Sequence, residues 1–278
     1  QVLSLGMERR KDWVYRALVE LLREDDEQID AIYERNDVAI RTLEGLEQGK
    51  GFYQMEGLKT DLSGHVTITE NGIKYDVDYI EGQKTGFFLD QKYNRQAAAK
   101  LARGRRVLDC FTHTGAFALN AAAAGAEHVT AVYVSAFALE LAAENGKRNG
   151  LTNLDYKCAD VFDLLTEMAK EKKCDYDYII LDPPAFTKSR ATAKNAYHGY
   201  KEINRKAMRL LPRGGYLATC SCSHFMTDEM FRKMLQEAAL DAGVTLRQIE
   251  ARQQAPDHPI LPEVPETDYL KFYLLQVV

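Results

Sequence analysis

The chain has 278 residues, a formal net charge of −5, 46% apolar and 28% charged residues, the balance of an ordinary globular protein long enough for a well-buried core. No run reaches the roughly 18 apolar residues of a membrane span and no signal peptide opens the chain, so a cytoplasmic protein without membrane contact is expected. The acidic balance argues against holding nucleic acid by bulk electrostatics, while leaving room for a local basic groove. Gln1 stands where an initiator Met would, so the natural protein is expected to begin earlier. The cysteines Cys110, Cys158, Cys174, Cys220 and Cys222 form an odd set without framework spacing, against a secreted disulfide scaffold, and no second Cys or His pair has zinc-finger spacing.

Residues 8–23, ERRKDWVYRALVELLR, place Trp13, Val14, Ala17, Leu18, Leu21 and Leu22 at helical spacing and predict an amphipathic helix. DAIYERN reads as a short strand and VAIRTLEGLE as a further helical piece. From 64 to 80, GHVTITENGIKYDVDYI alternates apolar and polar residues about Asn71-Gly72, a pair that supplies the positive φ angles of a tight hairpin turn. Residues 1–86 are thus expected to form a small α+β domain.

After Gly86 the rhythm becomes strand, helix, strand, helix, and residues 87–278 are expected as a second domain. RRVLDCF leads into TGAFALNAAAAGA, HVTAVYV into SAFALELAAENGKRNG, and LDYKCAD into VFDLLTEMAKEKK. YDYIILDPP leads into a helix ending near LLPRGG, and YLATCSC into TDEMFRKMLQEAALDAG, while LRQIEARQ and YLKFYLLQVV close the chain. Short, nearly continuous apolar strands belong to a mostly parallel sheet covered by helices on both faces. The expected class is α/β, doubly wound, with ligands bound at the carboxyl ends of the strands.

The unusual residues gather at those ends. In LDCFTHTGAFAL the carboxylate of Asp109 precedes Phe111, Thr114 and Gly115 at the mouth of a helix. The spacing is not G-x-G-x-x-G, which disfavours a dinucleotide; it suits a ligand with a cationic amino-acid end, and reads also as a plain β–α turn. IILDPPAFTKS delivers Asp182 followed by Pro183 and Pro184, a rigid lip able to hold a planar base. In YLATCSCSHFM, Cys220 and Cys222 leave an extended strand on one face, which disfavours a disulfide between them. Cys220 reads as packing, and His224 as a surface or hydrogen-bonded residue rather than a base.

Read in order, GFFLDQKYNR, VLDCFTHTGAFALNA, CADVFDLL, LDPPAFTKS, GYKEINRKAMRLL, LATCSCSHFMT, RQQAPDHP and YLKFYLLQV resemble class I S-adenosylmethionine-dependent methyltransferases, and among them the bacterial ribosomal large-subunit methyltransferase I family. The resemblance covers essentially the whole chain. It implies a seven-stranded methyltransferase sheet, S-adenosylmethionine as cofactor, ribosomal RNA as partner, a homodimer, a PUA domain ahead of Gln1, and methylation of cytosine C5. It also implies Cys222, in the motif SCS, as the nucleophile that adds to C6, and Asp182 as the acid at cytosine N3. Ala185 stands where some RNA cytosine methyltransferases place a second, product-releasing cysteine.

By position, the resemblance puts Asp109, Phe111, Thr114 and Gly115 at the methionine end of the cofactor, and Asp160 and Val161 at the adenine. Phe88 and Gln91 belong to the segment closing over it. Tyr133 and Val134 end the second strand where such enzymes carry an acidic residue for the ribose hydroxyls, so cofactor binding is expected to be weakened. Pro183, Pro184, Phe186, Lys188 and Tyr200 are the expected substrate contacts, within a stretch that also holds Arg190, Lys194 and Lys201 and that reads equally as a solvated helix face. Two rival readings are an amino-group methyltransferase acting on a purine, which needs no cysteine, and a non-catalytic RNA-binding module on the same fold.

Overall fold

The computed structural model describes residues 8–171, 175–187 and 189–278. It divides into two units: residues up to Thr67 with Asp76–Phe87, and Ile68–Tyr75 with Phe88–Val278. In the first, helix α1 (Lys11–Glu24) precedes a two-stranded antiparallel sheet of β1 (Tyr33–Arg35) and β2 (Lys50–Phe52), joined through α2 (Ile40–Leu43). Tyr33, Phe52 and Tyr79 pack edge to face, with Tyr33 4.9 Å from Phe52 and 5.5 Å from Tyr79. Helix α1 forms where its periodicity predicts, yet its apolar positions do not make a core. Trp13 is 69% and Leu21 57% exposed, whereas Val19 is buried.

Asn71 and Gly72 adopt φ angles of 54° and 80°, joining β3 (His65–Glu70) to β4 (Ile73–Asp78) as the Asn-Gly signal predicts. The tip of this hairpin is anchored within the second unit. Arg95 of α3 (Lys92–Ala99) grips Glu70 with Nε and Nη2 at 2.7 and 2.8 Å, and Nη2 also donates to the carbonyl of Phe88 at 2.7 Å. Both side chains of this pair are buried, so removing either would leave an uncompensated charge.

The large unit alternates β5 (Arg106–Cys110), α4 (Ala116–Ala123), β6 (His128–Tyr133), α5 (Ala136–Arg148), β7 (Leu154–Cys158) and α6 (Val161–Glu171). It continues through β8 (Tyr178–Leu181), α7 (Ala193–Leu210), β9 (Tyr216–Ser221), α8 (Asp228–Ala242), β10 (Leu246–Arg252) and β11 (Lys271–Val277). The seven strands lie in the order β10-β11-β9-β8-β5-β6-β7. The five from β9 to β7 are parallel, and β11 runs antiparallel to both β9 and β10. Strand side chains alternate between two cores. Leu108, Ile179, Leu217 and Tyr273 pack with Leu165, Ile203 and Phe231, while Val107, Ile180, Cys220 and Phe272 pack with Ala97 and Phe117. From β5 the chain winds one way to β6 and β7, then returns to build β8 and β9 on the other side. The switch point thus falls between β5 and β8, and the carboxyl ends of the strands there are the expected ligand position in a doubly wound sheet.

Candidate active site at the strand ends

Asp109, Tyr133, Asp182 and Cys222 all stand at or just past the carboxyl ends of neighbouring strands: β5, β6, β8 and β9. The loop after β5 is tightly wound. Phe111 and His113 have φ angles of 66° and 53°, conformations side chains rarely adopt, and Gly115 has φ of 87° at the start of α4. A Cβ on Gly115 would also come within 3.0 Å of the Ala142 Cβ, so glycine is demanded twice here.

Asp109 is buried, and its Oδ2 accepts the Thr112 hydroxyl at 2.6 Å while Oδ1 has no partner among the described residues. Burial, and then the negative charge of Asp182, raise its carboxyl to about 7. A buried carboxylate with an open acceptor lacks a cation, and a ligand bearing an ammonium group would answer both deficits. His113 lies edge-on between Phe88 (5.3 Å) and Tyr133 (5.7 Å), and burial lowers it to about 4, so the imidazole is neutral near pH 7. Tyr133 is half-buried and its phenol is raised by burial, Val134 is exposed, and Ser135 caps α5 through its hydroxyl. Asp160 is exposed and its Oδ1 accepts the backbone N–H groups of Phe162 and Asp163, capping α6, while Val161 is buried in the core.

Asp182 is half-buried at the end of β8. Burial and the charge of Asp90 raise its carboxyl to about 6, against the lowering pull of Arg95, Cys220 and Gln91. Gln91 is itself buried, donating to Asp182 Oδ1 at 2.9 Å and accepting from Asn94 Nδ2 at 2.7 Å. Cys220 is buried beneath this cluster with its thiol raised well above the ordinary range, chiefly by burial and then by Asp182. An inert, packed thiol results, as the sequence suggests. Cys222 lies beyond the strand and is half-buried, and neither it nor Cys220 is in a disulfide. The Ser223 hydroxyl, next along the chain, donates to the Thr187 carbonyl at 3.1 Å and ties the cysteine turn to the Pro-Pro lip.

Pro183 is buried and Pro184 exposed. Phe186 packs on Tyr200 at 4.5 Å, over Gly199, where a Cβ would stand 3.2 Å from the ring. Tyr200, one of the expected substrate contacts, is not presented to solvent. It is fully buried between Phe186 and Phe231, because Ala196, Tyr200, Ile203 and Ala207 share the core-facing side of α7. Lys201 pairs with Glu237 and Asp241 of α8 at 3.3 and 3.0 Å. Lys188 lies outside the described residues, as does the side chain of Arg190. Asp90, Asn94 and Lys271 escaped the sequence reading. A lysine inside the apolar strand YLKFYLLQVV was the available signal for the last.

The S-adenosylmethionine-dependent methyltransferase family profile matches residues 52–276. Ribosomal RNA large subunit methyltransferase I of Photobacterium profundum is 45% identical over 279 residues, covering 100% of this chain and 68% of that protein. The protein of the same name from Aeromonas hydrophila is 45% identical over 274 residues, covering 98% and 66%. The chain thus spans about two thirds of the length of these relatives. Among solved structures, SMU.776 complexed with SAH superimposes with a TM-score of 0.81 at 23% identity, covering 99% of this chain and 67% of that one, a likeness of fold.

Proposed function

The chain belongs to the S-adenosylmethionine-dependent methyltransferase family, and within it to that of ribosomal RNA large subunit methyltransferase I. On that premise we propose that it methylates C5 of a cytosine in large-subunit ribosomal RNA through a transient adduct with Cys222. The observation that carries this reading is the placement of a half-buried thiol, Cys222, and a carboxyl raised to about 6, Asp182, at the ends of two adjacent parallel strands.

Cytosine C5 is a poor nucleophile. The Cys222 thiolate forms a bond to C6 while ring electrons move to N3, where the Asp182 carboxyl gives its proton. C5 is then enamine-like. When bound, S-adenosylmethionine supplies the sulfonium methyl group that C5 takes. Loss of the C5 proton to a base, departure of Cys222 as thiolate, and return of the N3 proton to Asp182 restore the aromatic ring. A carboxyl titrating near 6 can both give and retake that proton near neutral pH, which an ordinary aspartate near 4 does poorly.

The unfilled Oδ1 of Asp109 fits the amino group of the cofactor's methionine end, with Phe111, Thr114 and Gly115 forming the turn around it. Tyr133 and Val134 take the ribose side, Asp160 and Val161 the adenine side, and Phe88 and Gln91 close the segment above. Pro183 and Pro184, backed by Phe186, hold the target base, which must leave any helical stack to reach Cys222. On this reading the protein works in the cytoplasm as a homodimer. Among the described residues no helix is long and apolar enough to cross a membrane.

The test is methyl transfer from labelled S-adenosylmethionine to unmodified large-subunit ribosomal RNA, with the product nucleoside identified by mass spectrometry. The expected product is 5-methylcytidine, and Cys222→Ala abolishes it. A methylated purine, formed equally well by Cys222→Ala, would instead mark an amino-group methyltransferase.

A further inference from the structure

Lys271 is a cation in a place that cations avoid. It opens β11 ahead of Phe272, Tyr273, Leu274 and Leu275, is 3% exposed, and pairs across the strands with Ser221, one residue before Cys222. Its Nζ donates to the carbonyl of Ser223, one residue after Cys222, at 2.6 Å, and to the carbonyl of Tyr269 at 2.7 Å. The ammonium is thus clamped against the turn that carries the thiol. Both hydrogen bonds go to neutral carbonyls rather than to carboxylates, so the desolvation of a buried charge is only partly offset.

The groups around the thiol sort by sign. Negative charge at Cys222 is felt by Cys220 on β9, by Tyr200 on α7 and by Tyr269 ahead of β11, and each is made harder to ionise by it. At Lys271 the same charge acts the other way. Burial lowers the lysine to about 8, while Asp268, Cys222 and Asp228 pull it back up. Interaction between two titrating groups is reciprocal, so whatever a thiolate does for the ammonium, the ammonium does for the thiolate.

Resting on the reading of Cys222 as the nucleophile, we infer that Lys271 is its positioning cation: held on the Ser223 and Tyr269 carbonyls, its ammonium stabilises the Cys222 thiolate and fixes the turn that presents it. Below the lysine's own value of about 8, ionisation sends the thiol proton to solvent and leaves Lys271 charged. Lys271 touches neither base nor methyl group in this role.

The decisive measurement is the rate of iodoacetamide alkylation of Cys222 against pH, resolved by peptide mass spectrometry, in the full chain without RNA or cofactor. In the unmodified sequence Cys222 is expected to titrate below the ordinary thiol value near 8.5. Lys271→Met is expected to raise its midpoint by about one unit, slowing alkylation at pH 7 about tenfold. Lys271→Arg is expected to restore most of that loss, and the exposed Cys158 serves as the internal control. A Cys222 profile unmoved in a cooperatively melting Lys271→Met protein overturns the proposal. Should that variant fail to fold, an unmodified-chain midpoint at or above 8.5 overturns it equally. The assay involves no turnover. Methyl transfer surviving Cys222→Ala would sink the nucleophile assignment and leave the thiol–lysine coupling as measured.

Discussion

Gln91 and Asp182 form a single unit: the amide donates to Asp182 Oδ1 at 2.9 Å, and Asn94 fixes the other end of that amide at 2.7 Å. Burial and Asp90 push the carboxyl up, and Gln91 is among the groups that hold it down. Gln91→Leu therefore favours the protonated form over a wider range, and the limb of the pH–rate profile governed by Asp182 should move to higher pH. Losing a hydrogen bond to an ionised group costs about 1.5–3 kcal/mol, so kcat/KM should also fall roughly tenfold to a hundredfold. Steady-state methyl transfer from pH 5 to 9 reads both effects. An unmoved limb would detach Gln91 from the chemistry of Asp182.

Asp109 carries a stability signature of opposite sign to that of a salt-bridged carboxylate. Its folded-state value, raised by burial and then Asp182, is about 7 against an ordinary value of 3.8. Between these values the folded state binds the extra proton, so this residue's contribution falls as pH rises, and the penalty is complete above about pH 7. A displacement of that size corresponds to ~4 kcal/mol as an upper bound. Asp109→Asn should raise the thermal midpoint by several degrees at pH 8 and far less at pH 4.5, while abolishing S-adenosylmethionine binding. Equal shifts at both pH values would show that the carboxyl is not strained by its charge.

Much of this architecture was legible because local rules and the tertiary fold agree. Asn71-Gly72 turned where its φ preferences demand, and apolar strands ended at Asp109, Asp182 and the cysteine motif beside the switch point. What escaped the reading depends on what covers a surface. The periodicity of α1 is real, but spacing alone does not say whether a partner packs on Trp13 and Leu21, and neither is buried. Tyr200 looked like part of a basic stretch because its neighbours in sequence are charged, whereas its neighbours on the helix face, Ala196, Ile203 and Ala207, are core residues. Asn94 and Lys271 were missed for a different reason. Each has a partner far away in sequence: Asn94 donates to the Gln253 carbonyl and Lys271 to the Ser223 carbonyl. No local pattern announces such contacts, although a lysine within an apolar strand is itself a warning.

Tyr133 ends β6, and on the proposed reading it stands where a carboxylate would hold both ribose hydroxyls of the cofactor. A phenol offers one hydrogen bond and no charge, and its ring is already engaged edge-on with His113. Tyr133→Asp is expected to tighten S-adenosylmethionine binding tenfold to a hundredfold, the worth of one charged hydrogen bond. Calorimetric titration of both proteins decides it. Equal affinities would mean that the aromatic row of Phe88, His113 and Tyr133 replaces the carboxylate grip.

The adduct proposed on Cys222 can be caught by the chemistry that would dissolve it. Release of the cysteine requires loss of the C5 proton, and a fluorine at C5 cannot leave as a cation. Ribosomal RNA carrying 5-fluorocytidine at the target should accept the methyl group and then remain bonded to Cys222. A protein–RNA species stable to denaturing electrophoresis is expected, dependent on S-adenosylmethionine and absent in Cys222→Ser and Cys222→Ala. Cys220→Ala should still form it, since that thiol is buried and raised well above the ordinary range. Trapping that survives Cys222→Ala would move the nucleophile elsewhere. Active turnover with no trapped species would argue for direct transfer to an amino group, where no thiol takes part.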